Sequence, residues 1–396
     1  MHDNDPQTFT AIAAFRAAYA PADEDVAAVF LKAAPGLPEA ELRIDARARR
    51  LVEAIRAKHG VGGVGGIEDF LHEYSLSTRE GLALMVLAEA LLRVPDAATA
   101  DRLIEDKLTG ADFAAHTHSG ALLVSASAWA LGISARVVAT HETPESILHE
   151  LVSRLGRPAV RTATRQAMRL LGSHFVLGQT IEEALSRGAA RPEFRYSFDM
   201  LGEGARTAAD AARYFEAYKR AIAAIGRSAG ASGLPQRPGI SVKLSALHPR
   251  YEAISRTRVL NELAPRVLAL ARAAREHDLN LTIDAEEADR LELSLDIVAR
   301  TFASPDLIGW SGFGLAVQTY QKRAPAVIDW VVAAARSLGR PIMVRLVKGA
   351  YWDTEVKRAQ ERGLDDYPVF SRKAMTDLCY MTCARKLLAA RPHVYP

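Results

Sequence analysis

The pattern of hydrophobic and polar positions divides the chain into two unlike parts. Up to about residue 190, apolar residues recur at every third or fourth position among Ala, Leu, Arg and Glu, which is the spacing of amphipathic helices. The stretch Leu42–His59 predicts one such helix. We interpret this part as a helical N-terminal arm over residues 1–65, followed by an all-α domain over residues 66–190.

The pattern changes over residues 191–396. Short β-rich runs alternate there with helical patterns of twelve or more residues. Repeated βα units predict a parallel sheet with right-handed crossovers. The runs are Tyr196–Gly202, Gly239–Ala246, Leu279–Glu286, Phe313–Tyr320 and Pro341–Gly349.

Polar residues near the ends of these runs favour one α/β architecture over another. In a (β/α)₈ barrel, functional side chains gather at the carboxyl ends of many strands, whereas a doubly wound sheet concentrates them at one switch point. All five runs carry such a residue, so we predict a TIM-like (β/α)₈ barrel. These residues are Asp199, Lys243, Asp284, Gln318, and Arg345 with Lys348.

The number of runs falls short of a closed barrel. Five runs are complete, and the final residues HVYP read as the start of a sixth. A closed barrel needs eight strands and typically about 250 residues, and an open one leaves two unpaired edges. We therefore expect the barrel to be truncated after about five strands and the chain to be a fragment.

Composition narrows the class of protein. The chain has 396 residues, of which 49% are hydrophobic and 24% are charged, which is ordinary for a globular protein and excludes a wholly disordered one. The net charge of +3 argues against nucleic-acid binding by bulk charge. Cys379 and Cys383 are too few for a disulfide framework, and their spacing predicts packing inside a helix.

The sequence shows no clear signal peptide or membrane-spanning segment. The first residues, MHDNDPQTFT, carry acids where a signal peptide needs a basic region. The most apolar stretch, Gly120–Ala135, is shorter than the roughly 20 residues that a membrane span requires. We predict a cytoplasmic protein, and peripheral contact with the inner membrane stays open.

Two motifs do not have the context that their usual ligands require. Gly60–Gly65 matches G-x-G-x-x-G, but a helix rather than a strand precedes it, so we interpret it as a linker. His116 and His118 have no third ligand nearby in sequence, so we predict no metal site.

Lys243 is the first candidate for chemistry. It lies between Val242 and Leu244 in an apolar strand, where an unpaired lysine is costly. It is a Schiff-base nucleophile, a cation for an anionic substrate group, or an edge-strand lysine that points outward. Asp284 follows another apolar run and is either a helix-terminus carboxylate or an inward partner of Lys243, and we expect the pair.

The densest signal is the segment from Arg345 to Trp352. Two cations, a glycine and two aromatic residues follow one strand end. This combination suits a flat, negatively polarised cofactor that needs a cation at its electron-rich edge and a ring against which to pack. The alternative is a strand end followed by a hydrophobic first helical turn.

With these residues in view, the chain closely resembles the proline dehydrogenase part of the bacterial flavoenzyme family proline utilization A. The helical half, with AEALLRVPDAATADRLIEDKL, is similar to the N-terminal arm and α-domain of that family. The blocks that carry the resemblance are SFDMLGE (197–203), GISVKLSALHPRYE (239–252), LTIDAEEADRLELSLDI (281–297), GLAVQTYQKR (314–323) and MVRLVKGAYWDTEVKRAQ (343–360).

The resemblance implies a distorted (β/α)₈ barrel that holds FAD. Lys243 would pair with the substrate carboxylate, Asp284 would orient Lys243, Tyr351 would pack over the proline ring, and Glu203 would belong to an ion-paired gate. Ser371, Arg372 and Lys373 would hold the FAD phosphates. The other residues expected at FAD are Gln318, Arg345 (near flavin N5), Val347 through its backbone, Lys348, Gly349, Ala350 and Trp352.

The implied reaction is hydride transfer from C5 of L-proline to flavin N5. The product is pyrroline-5-carboxylate, so this is the first step of proline catabolism to glutamate. The resemblance further implies a quinone acceptor at the membrane and a homo-oligomer. No nucleic-acid partner is expected, because the chain starts with the arm and shows no ribbon-helix-helix segment.

The chain also departs from the family pattern. The last barrel strands, with an Arg pair that clamps the substrate, and the aldehyde dehydrogenase domain have no counterpart in it. We therefore expect the chain alone to have little activity. Two other hypotheses stay open: a lysine Schiff-base aldolase-like barrel, and a non-catalytic assembly fragment. A DNA-binding regulator is disfavoured by the balanced charge.

Overall fold

The computed structural model describes residues 12–33, 38–58, 176–201 and 204–396, with a few helical positions between residues 102 and 165. The chain divides into two compact units, Leu37–Glu183 and a second formed by Met1–Gly36 with Ala184–Pro396. The first residues of the predicted arm are thus grouped with the predicted barrel. The domain bounds 1–65, 66–190 and 191–396 remain predictions.

The helices occur where the 3.6-residue pattern predicts them. The helix predicted at Leu42–His59 spans Pro38–Lys58. The described helices, in chain order, are α1 (Asp23–Ala33), α2 (Pro38–Lys58), α3 (Ile181–Ala189), α4 (Ala208–Ser228), α5 (Arg256–Glu276), α6 (Leu291–Phe302), α7 (Ala324–Leu338), α8 (Trp352–Glu361) and α9 (Lys373–Ala389).

Several sequence features fall outside the described residues. They are the glycine-rich motif Gly60–Gly65, the pair His116 and His118, the stretch Gly120–Ala135, and Glu203. Within the described residues, the structure contains no helix whose length and hydrophobicity would let it cross a membrane.

Six parallel strands form a single sheet in sequence order, β1 to β6. Sequential order is the order of a (β/α)₈ barrel and not the 3-2-1-4-5-6 order of a doubly wound sheet, which confirms the α/β barrel type. In the described part of the chain, β1 and β6 are the sheet edges and the barrel is not closed. The strands are β1 (Ser197–Asp199), β2 (Gly239–Val242), β3 (Asn280–Ile283), β4 (Phe313–Gln318), β5 (Ile342–Val347) and β6 (Val394–Tyr395).

Local sequence explains where the crossover helices begin and end. α4 opens with a capping box: the Thr207 hydroxyl accepts from Asp210 N at 3.1 Å, and the Asp210 carboxylate accepts from Thr207 N at 3.0 Å. α7 ends at Gly339, whose left-handed φ of 60° suits glycine. Cys379 and Cys383 lie fully buried in α9, which confirms the predicted packing role.

The core lies between the sheet and the helices that cover it. β2 and β4 are buried along their whole length, as expected for parallel strands covered by crossover helices. α5 buries residues at three- and four-residue spacing, among them Val259, Leu263 and Val267. Because parallel strands share one direction, the residues that follow their carboxyl ends meet on one rim.

Candidate active site

Lys243 stands at the centre of an ion-pair cluster on this rim. It directly follows β2, and its main-chain N–H donates to the buried Tyr218 hydroxyl at 3.2 Å. Its ammonium donates to both carboxylate oxygens of Asp199, at 2.9 and 3.0 Å, and to Asp284 Oδ2 at 3.0 Å. The lysine side chain is 18% exposed, so it points into the site and is not an outward edge residue.

Asp284 connects Lys243 to Arg345. The second oxygen of Asp284 accepts from the Arg345 guanidinium, and Arg345 Nη1 also donates to Ser241 Oγ at 2.7 Å. The Asp284 side chain is only 7% exposed, and a buried carboxylate needs such partners. The structure therefore contains the predicted Lys243–Asp284 pair and extends it to Arg345.

Gln318, the last residue of β4, forms hydrogen bonds with the segments that follow β3 and β5. Its amide nitrogen donates to the Glu286 main-chain oxygen at 2.8 Å, and its amide oxygen accepts from Ala350 N at 3.2 Å. Both functions of this buried side chain are used, which fixes its orientation. Gln318 thus holds Ala350, a predicted cofactor residue, beside the loop that follows Asp284.

Glu286 is a buried carboxylate that the sequence analysis did not select. It accepts from Ser245 N at 2.9 Å and from Arg290 Nη1 at 2.7 Å. Burial raises the pKa of Glu286, and the Ser245 N–H and the Arg290 charge oppose that rise. Its role in this structure is to fasten the loops after β2 and β3.

Tyr351 lies half-buried next to the ion-pair cluster. Burial, and then the nearby carboxylates of Glu286 and Glu287, raise the pKa of Tyr351 to about 12, whereas the Lys243 charge lowers it. The phenol is therefore neutral at physiological pH. It lies near enough to Lys243 and Asp284 for their charges to act on its hydroxyl.

Gly349 gives the chain a turn that other residues cannot adopt easily. Its φ is +150°, and a Cβ at this position would lie 2.4 Å from the Tyr320 ring. Two main-chain bonds hold the segment, Thr319 N to the Val347 oxygen at 2.8 Å and Tyr320 N to the Lys348 oxygen at 2.6 Å. The backbone of residues 347–350 is thus fixed against the end of β4.

The start of α9 is unusually basic for a helix N-terminus. Arg372 occupies the N-cap position without a side-chain capping bond, and no acid lies in the first turn. Lys373 and Lys348 both bind Asp377, and these two hydrogen bonds lower the pKa of Asp377. Cations near a helix N-terminus are unfavourable unless an anion joins them.

Trp352 connects α8 to the segment before α9. Its indole Nε1 donates to the Phe370 main-chain oxygen at 2.9 Å, and 44% of the residue is exposed. The ring is therefore held by one bond while much of its surface faces solvent. Ser371 and Arg372, which follow Phe370, are exposed as well.

The predicted site residues thus form two connected groups. Lys243, Asp284 and Arg345 form the ion-pair cluster, and Tyr351 lies next to it. The other group runs from the end of β4 to α9, with Gln318, Val347, Lys348, Gly349, Ala350, Trp352, Ser371, Arg372 and Lys373. Glu203 lies outside the described residues.

The sequence predicts Asp199 at the rim, as the polar residue of the first run, but assigns it no catalytic or cofactor role. In the structure its carboxylate pairs with Lys243. Its register partner is Ser241. Glu286 gave no such signal, because a carboxylate at the start of a helical pattern is common.

The two groups fit the parts of a flavin dinucleotide. The half-exposed Arg345 guanidinium offers a cation at the rim, and the uncapped, basic start of α9 suits a pyrophosphate. Gly349 lets this backbone pass directly against the Tyr320 ring, and the Trp352 ring offers a stacking surface. The charge of the residues present and the exposed aromatic ring therefore suit FAD.

Comparison with known protein families gives two matches. The family described as "Proline dehydrogenase" matches residues 183–396, which is more than half of the chain. The family described as "DNA-binding domain of Proline dehydrogenase" matches residues 66–175. This second description names nucleic acid, which the sequence does not predict as a partner, and most of residues 66–175 lie outside the described structure.

Curated relatives cover nearly the whole chain. The bifunctional protein PutA of Salmonella typhimurium strain LT2 is 46% identical over 390 residues, which is 97% of this chain and 30% of that protein. The PutA of Rhizobium meliloti is 50% identical over 339 residues, 84% of this chain and 27% of that protein. The chain therefore spans about 30% of the length of the curated relatives it matches.

Solved structures agree with the fold. A mutant proline utilization A from Bradyrhizobium japonicum has 63% identity and a TM-score of 0.71, covering 97% of this chain and 38% of that one. Proline utilization A from Bdellovibrio bacteriovorus, inactivated by N-propargylglycine, has 21% identity and a TM-score of 0.58 over 78% of this chain and 33% of that one. The second likeness supports the fold alone.

Proposed function

The chain belongs to the proline dehydrogenase family, and from this premise we propose that its barrel residues oxidise L-proline to pyrroline-5-carboxylate with FAD as the cofactor. The observation that carries the proposal is Lys243, which is held at the rim by Asp199 and Asp284 next to the Arg345 guanidinium. This reaction would open the catabolism of proline to glutamate.

Lys243 binds the substrate carboxylate in this proposal. An ammonium group is a point charge with three N–H donors, and it exchanges partners readily. Of the two carboxylates that Lys243 pairs with in the described part of the chain, Asp199 is 37% exposed and Asp284 only 7%. The substrate carboxylate therefore replaces Asp199, and Asp284 stays as the buried anchor that orients Lys243.

The second group of residues holds FAD. Gln318 fixes the Ala350 N–H, and Trp352 would offer the ring against which the flavin packs. Arg345 of the ion-pair cluster would supply the cation at the electron-rich edge of the flavin. Ser371, Arg372 and Lys373 at the start of α9 would hold the phosphates, with Lys348 nearby. When bound, FAD supplies the acceptor for the hydride that leaves C5 of proline.

Tyr351 and the walls of the site fix the substrate geometry. A neutral phenol packs over the pyrrolidine ring without placing a negative charge near the substrate carboxylate. Holding the two reacting centres at a fixed distance and angle is the main contribution that the protein makes to such a transfer. Glu203 completes the proposal as part of a gate over the substrate.

The aldolase-like alternative fits the geometry less well. A Schiff-base lysine must present a neutral amine to a carbonyl. Lys243 instead donates to two carboxylates, which suits an ammonium that binds an anion. An assembly role would leave this ion-pair cluster unexplained, so dehydrogenase chemistry remains the proposal.

The surroundings of the reaction are proposed from the same family membership. We propose that the protein acts in the cytoplasm as a homo-oligomer and passes electrons to a quinone during peripheral contact with the inner membrane. These statements rest on the resemblance to proline utilization A and not on a contact in the structure.

A chimera tests the proposal. Residues 1–396 replace the matching part of the Bradyrhizobium japonicum protein, which is 63% identical to them. We expect the purified chimera to carry FAD and its visible flavin absorption to bleach when L-proline is added without oxygen. A chimera that carries FAD, is bleached by dithionite and is unchanged by L-proline would refute the proposal.

A further inference from the structure

A buried lysine outside the ion-pair cluster joins the N-terminal segment to the barrel. The Lys322 side chain is 0% exposed, and its ammonium pairs with Asp23 at 2.7 Å and with Asp366 at 3.0 Å. It also donates to the Pro21 main-chain oxygen at 2.9 Å. A fully buried ammonium is costly unless it has such partners, so this arrangement is not an incidental surface contact.

The backbone around Lys322 is connected to the proposed FAD-binding segment. Lys322 N donates to the Pro368 oxygen at 3.0 Å, and Gln321 forms an antiparallel bridge with Val369. Phe370 N donates to the Tyr320 oxygen at 2.8 Å. The Phe370 oxygen in turn accepts from the Trp352 indole N–H. Residues 368–370 therefore bind Lys322 at one end and Trp352 at the other.

Three further contacts seat residues 12–33 on the barrel. The Phe30 ring meets the Phe370 ring edge-on with centroids 6.2 Å apart. The Arg323 guanidinium lies 4.8 Å from the centre of the Tyr19 ring. Trp330 Nε1 donates to the Ala13 oxygen at 2.7 Å.

We propose that residues 12–33 are a positioning element of the FAD site, clamped by the Lys322–Asp23–Asp366 cluster. The clamp holds residues 366–370 in place, and these residues hold Trp352 and the start of α9. The link to FAD rests on the proposed function, whereas the mechanical coupling from Asp23 to Trp352 does not. Lys322 and Asp23 act through other residues and need not touch the cofactor.

Asp23→Asn is the test variant, because it keeps the shape of the side chain and removes its charge. Asp25→Asn is the matched control: it lies in the same first turn of α1, so it carries the same interaction with the helix dipole, but its side chain is exposed. Any effect of Asp23→Asn alone then reports the clamp.

The readout is the indole N–H of tryptophan in ¹⁵N-Trp-labelled chain without FAD. Trp330 reports seating of the N-terminal segment, Trp352 reports residues 366–370, and Trp310, bonded to the Leu279 oxygen at 3.2 Å, reports the far end of the sheet. We expect Asp23→Asn to shift and speed exchange of Trp330 and Trp352 while Trp310 is unchanged. Asp25→Asn leaves all three unchanged.

Each other outcome has a clear meaning. A response confined to Trp330, or no response, would overturn the proposal, because the segment would then not position Trp352. If the Trp310 signal also shifts, Asp23→Asn has loosened the whole barrel, and the variant Trp330→Phe is then the deciding test. This variant removes the hydrogen bond from the Trp330 indole to the Ala13 oxygen, and the proposal predicts that the Trp352 signal still shifts. An unchanged Trp352 in that variant overturns the proposal.

FAD titration of the same variants in the chimera extends the test to the cofactor. We expect Asp23→Asn to weaken FAD binding at least tenfold relative to Asp25→Asn, with the Trp352 shift already present before FAD is added. If Trp352 responds but even the chimera without these substitutions binds no FAD, the proposed function fails and the coupling stands. If FAD binds equally well to both variants, the positioning role fails.

Discussion

The two ends of the six-stranded sheet use polar side chains in different ways. At the carboxyl end, some polar side chains bind the main chain, as Gln318 does, but charged side chains also bind one another: Lys243, Asp199, Asp284 and Arg345 form one cluster. At the amino end, the polar side chains of Asn280, Arg237 and Trp310 bind the main chain. The Asn280 amide donates to the Arg237 oxygen at 2.6 Å.

The amino end shows this pattern repeatedly. Arg237 donates to the main-chain oxygens of Gly230, Ser232 and His277, at 2.9, 2.8 and 3.0 Å. Trp310 donates to the Leu279 oxygen at 3.2 Å. A bond to the main chain fixes a loop, and breaking a buried one, such as that from Trp310 to the Leu279 oxygen, leaves a buried carbonyl without its partner.

The difference shows how one scaffold separates stability from function. An ion-pair cluster can exchange one carboxylate for that of a ligand and lose little, whereas side-chain bonds to the main chain cannot be exchanged without moving the fold. Barrels in general place function at the carboxyl ends of the strands and stability at the amino ends. In this protein, substitutions at the carboxyl end should therefore affect function, and substitutions at the amino end should affect stability.

Lys243→Met should have the largest effect, on function and at the carboxyl end. Removing one partner of a hydrogen-bonded charge pair costs about 2–5 kcal/mol, so kcat/KM for L-proline in the chimera should fall roughly 30-fold to several thousand-fold. Lys219→Met is the control, because that lysine lies exposed on α4 and contacts only its own helix in the described structure, at Glu216 and the Phe215 ring. Equal losses of kcat/KM in both variants would contradict the assignment of function to the carboxyl end of the sheet.

Asp284→Asn should follow, with an effect on both function and stability. The change removes the anion that Lys243 and Arg345 share, but both cations keep another partner, Asp199 and Ser241. We expect kcat/KM to fall about 10- to 100-fold, which corresponds to roughly 1.4–2.8 kcal/mol. Steady-state kinetics and a thermal melt of the same sample measure the two effects, and unchanged kinetics would remove Asp284 from the site.

A pair of glycine substitutions compares the two ends directly. Gly349→Ala forces a Cβ against the Tyr320 ring at a φ of +150°, so FAD binding should weaken by about tenfold. Gly312→Ala forces a Cβ to within 2.2 Å of the Leu279 oxygen, so stability should fall by about 1–3 kcal/mol with the FAD dissociation constant unchanged. If Gly349→Ala lowered stability alone and Gly312→Ala weakened FAD binding, the separation of function and stability between the two ends of the sheet would be contradicted.

Trp310→Phe should give a smaller effect, on stability alone. The variant keeps the ring packing and loses the hydrogen bond to the Leu279 oxygen, at a cost of about 1 kcal/mol. Urea unfolding should show the loss, and the flavin spectrum should not change. A changed spectrum would mean that the amino end also shapes the cofactor site.

Tyr351→Phe should leave the form of the pH–rate profile unchanged. The pKa of Tyr351 is raised to about 12, so the phenol is protonated at every pH below about 10 and does not ionise in the working range. The variant can lower the rate through lost contact, but no inflection should vanish. Loss of an inflection near neutral pH would show that Tyr351 titrates there.

The sequence predicts much of this fold because βα units leave a strong periodic signal. The six described strands lie inside the predicted runs, but they are shorter at their carboxyl ends. Lys243 and Asp284, for example, lie just past the hydrogen-bonded ladder of β2 and β3. Residues that follow a strand end have loop geometry on the rim. The periodicity of hydrophobic positions does not predict where the hydrogen-bonded ladder of a strand ends.

Tertiary contacts explain what the sequence could not predict. The strand-end position of Asp199 is predicted, but its pairing with Lys243 is not, because the two residues are 44 positions apart in the chain. The pairing of Lys322 with Asp23 joins positions about 300 residues apart, and no local pattern reports such a contact. Local propensity determines where helices and strands form, whereas ion pairs between distant residues form only when the whole chain folds.

The most direct test of the central claim separates the substrate carboxylate from its amine. Cyclopentanecarboxylate and pyrrolidine each retain one of the two groups of proline, and their dissociation constants follow from perturbation of the flavin spectrum in the chimera. Because Lys243 exchanges Asp199 for the ligand carboxylate, Lys243→Met should weaken cyclopentanecarboxylate by roughly 30-fold or more and leave pyrrolidine nearly unchanged. Equal weakening of both ligands would contradict the account, since Lys243 would then support the site without binding the carboxylate.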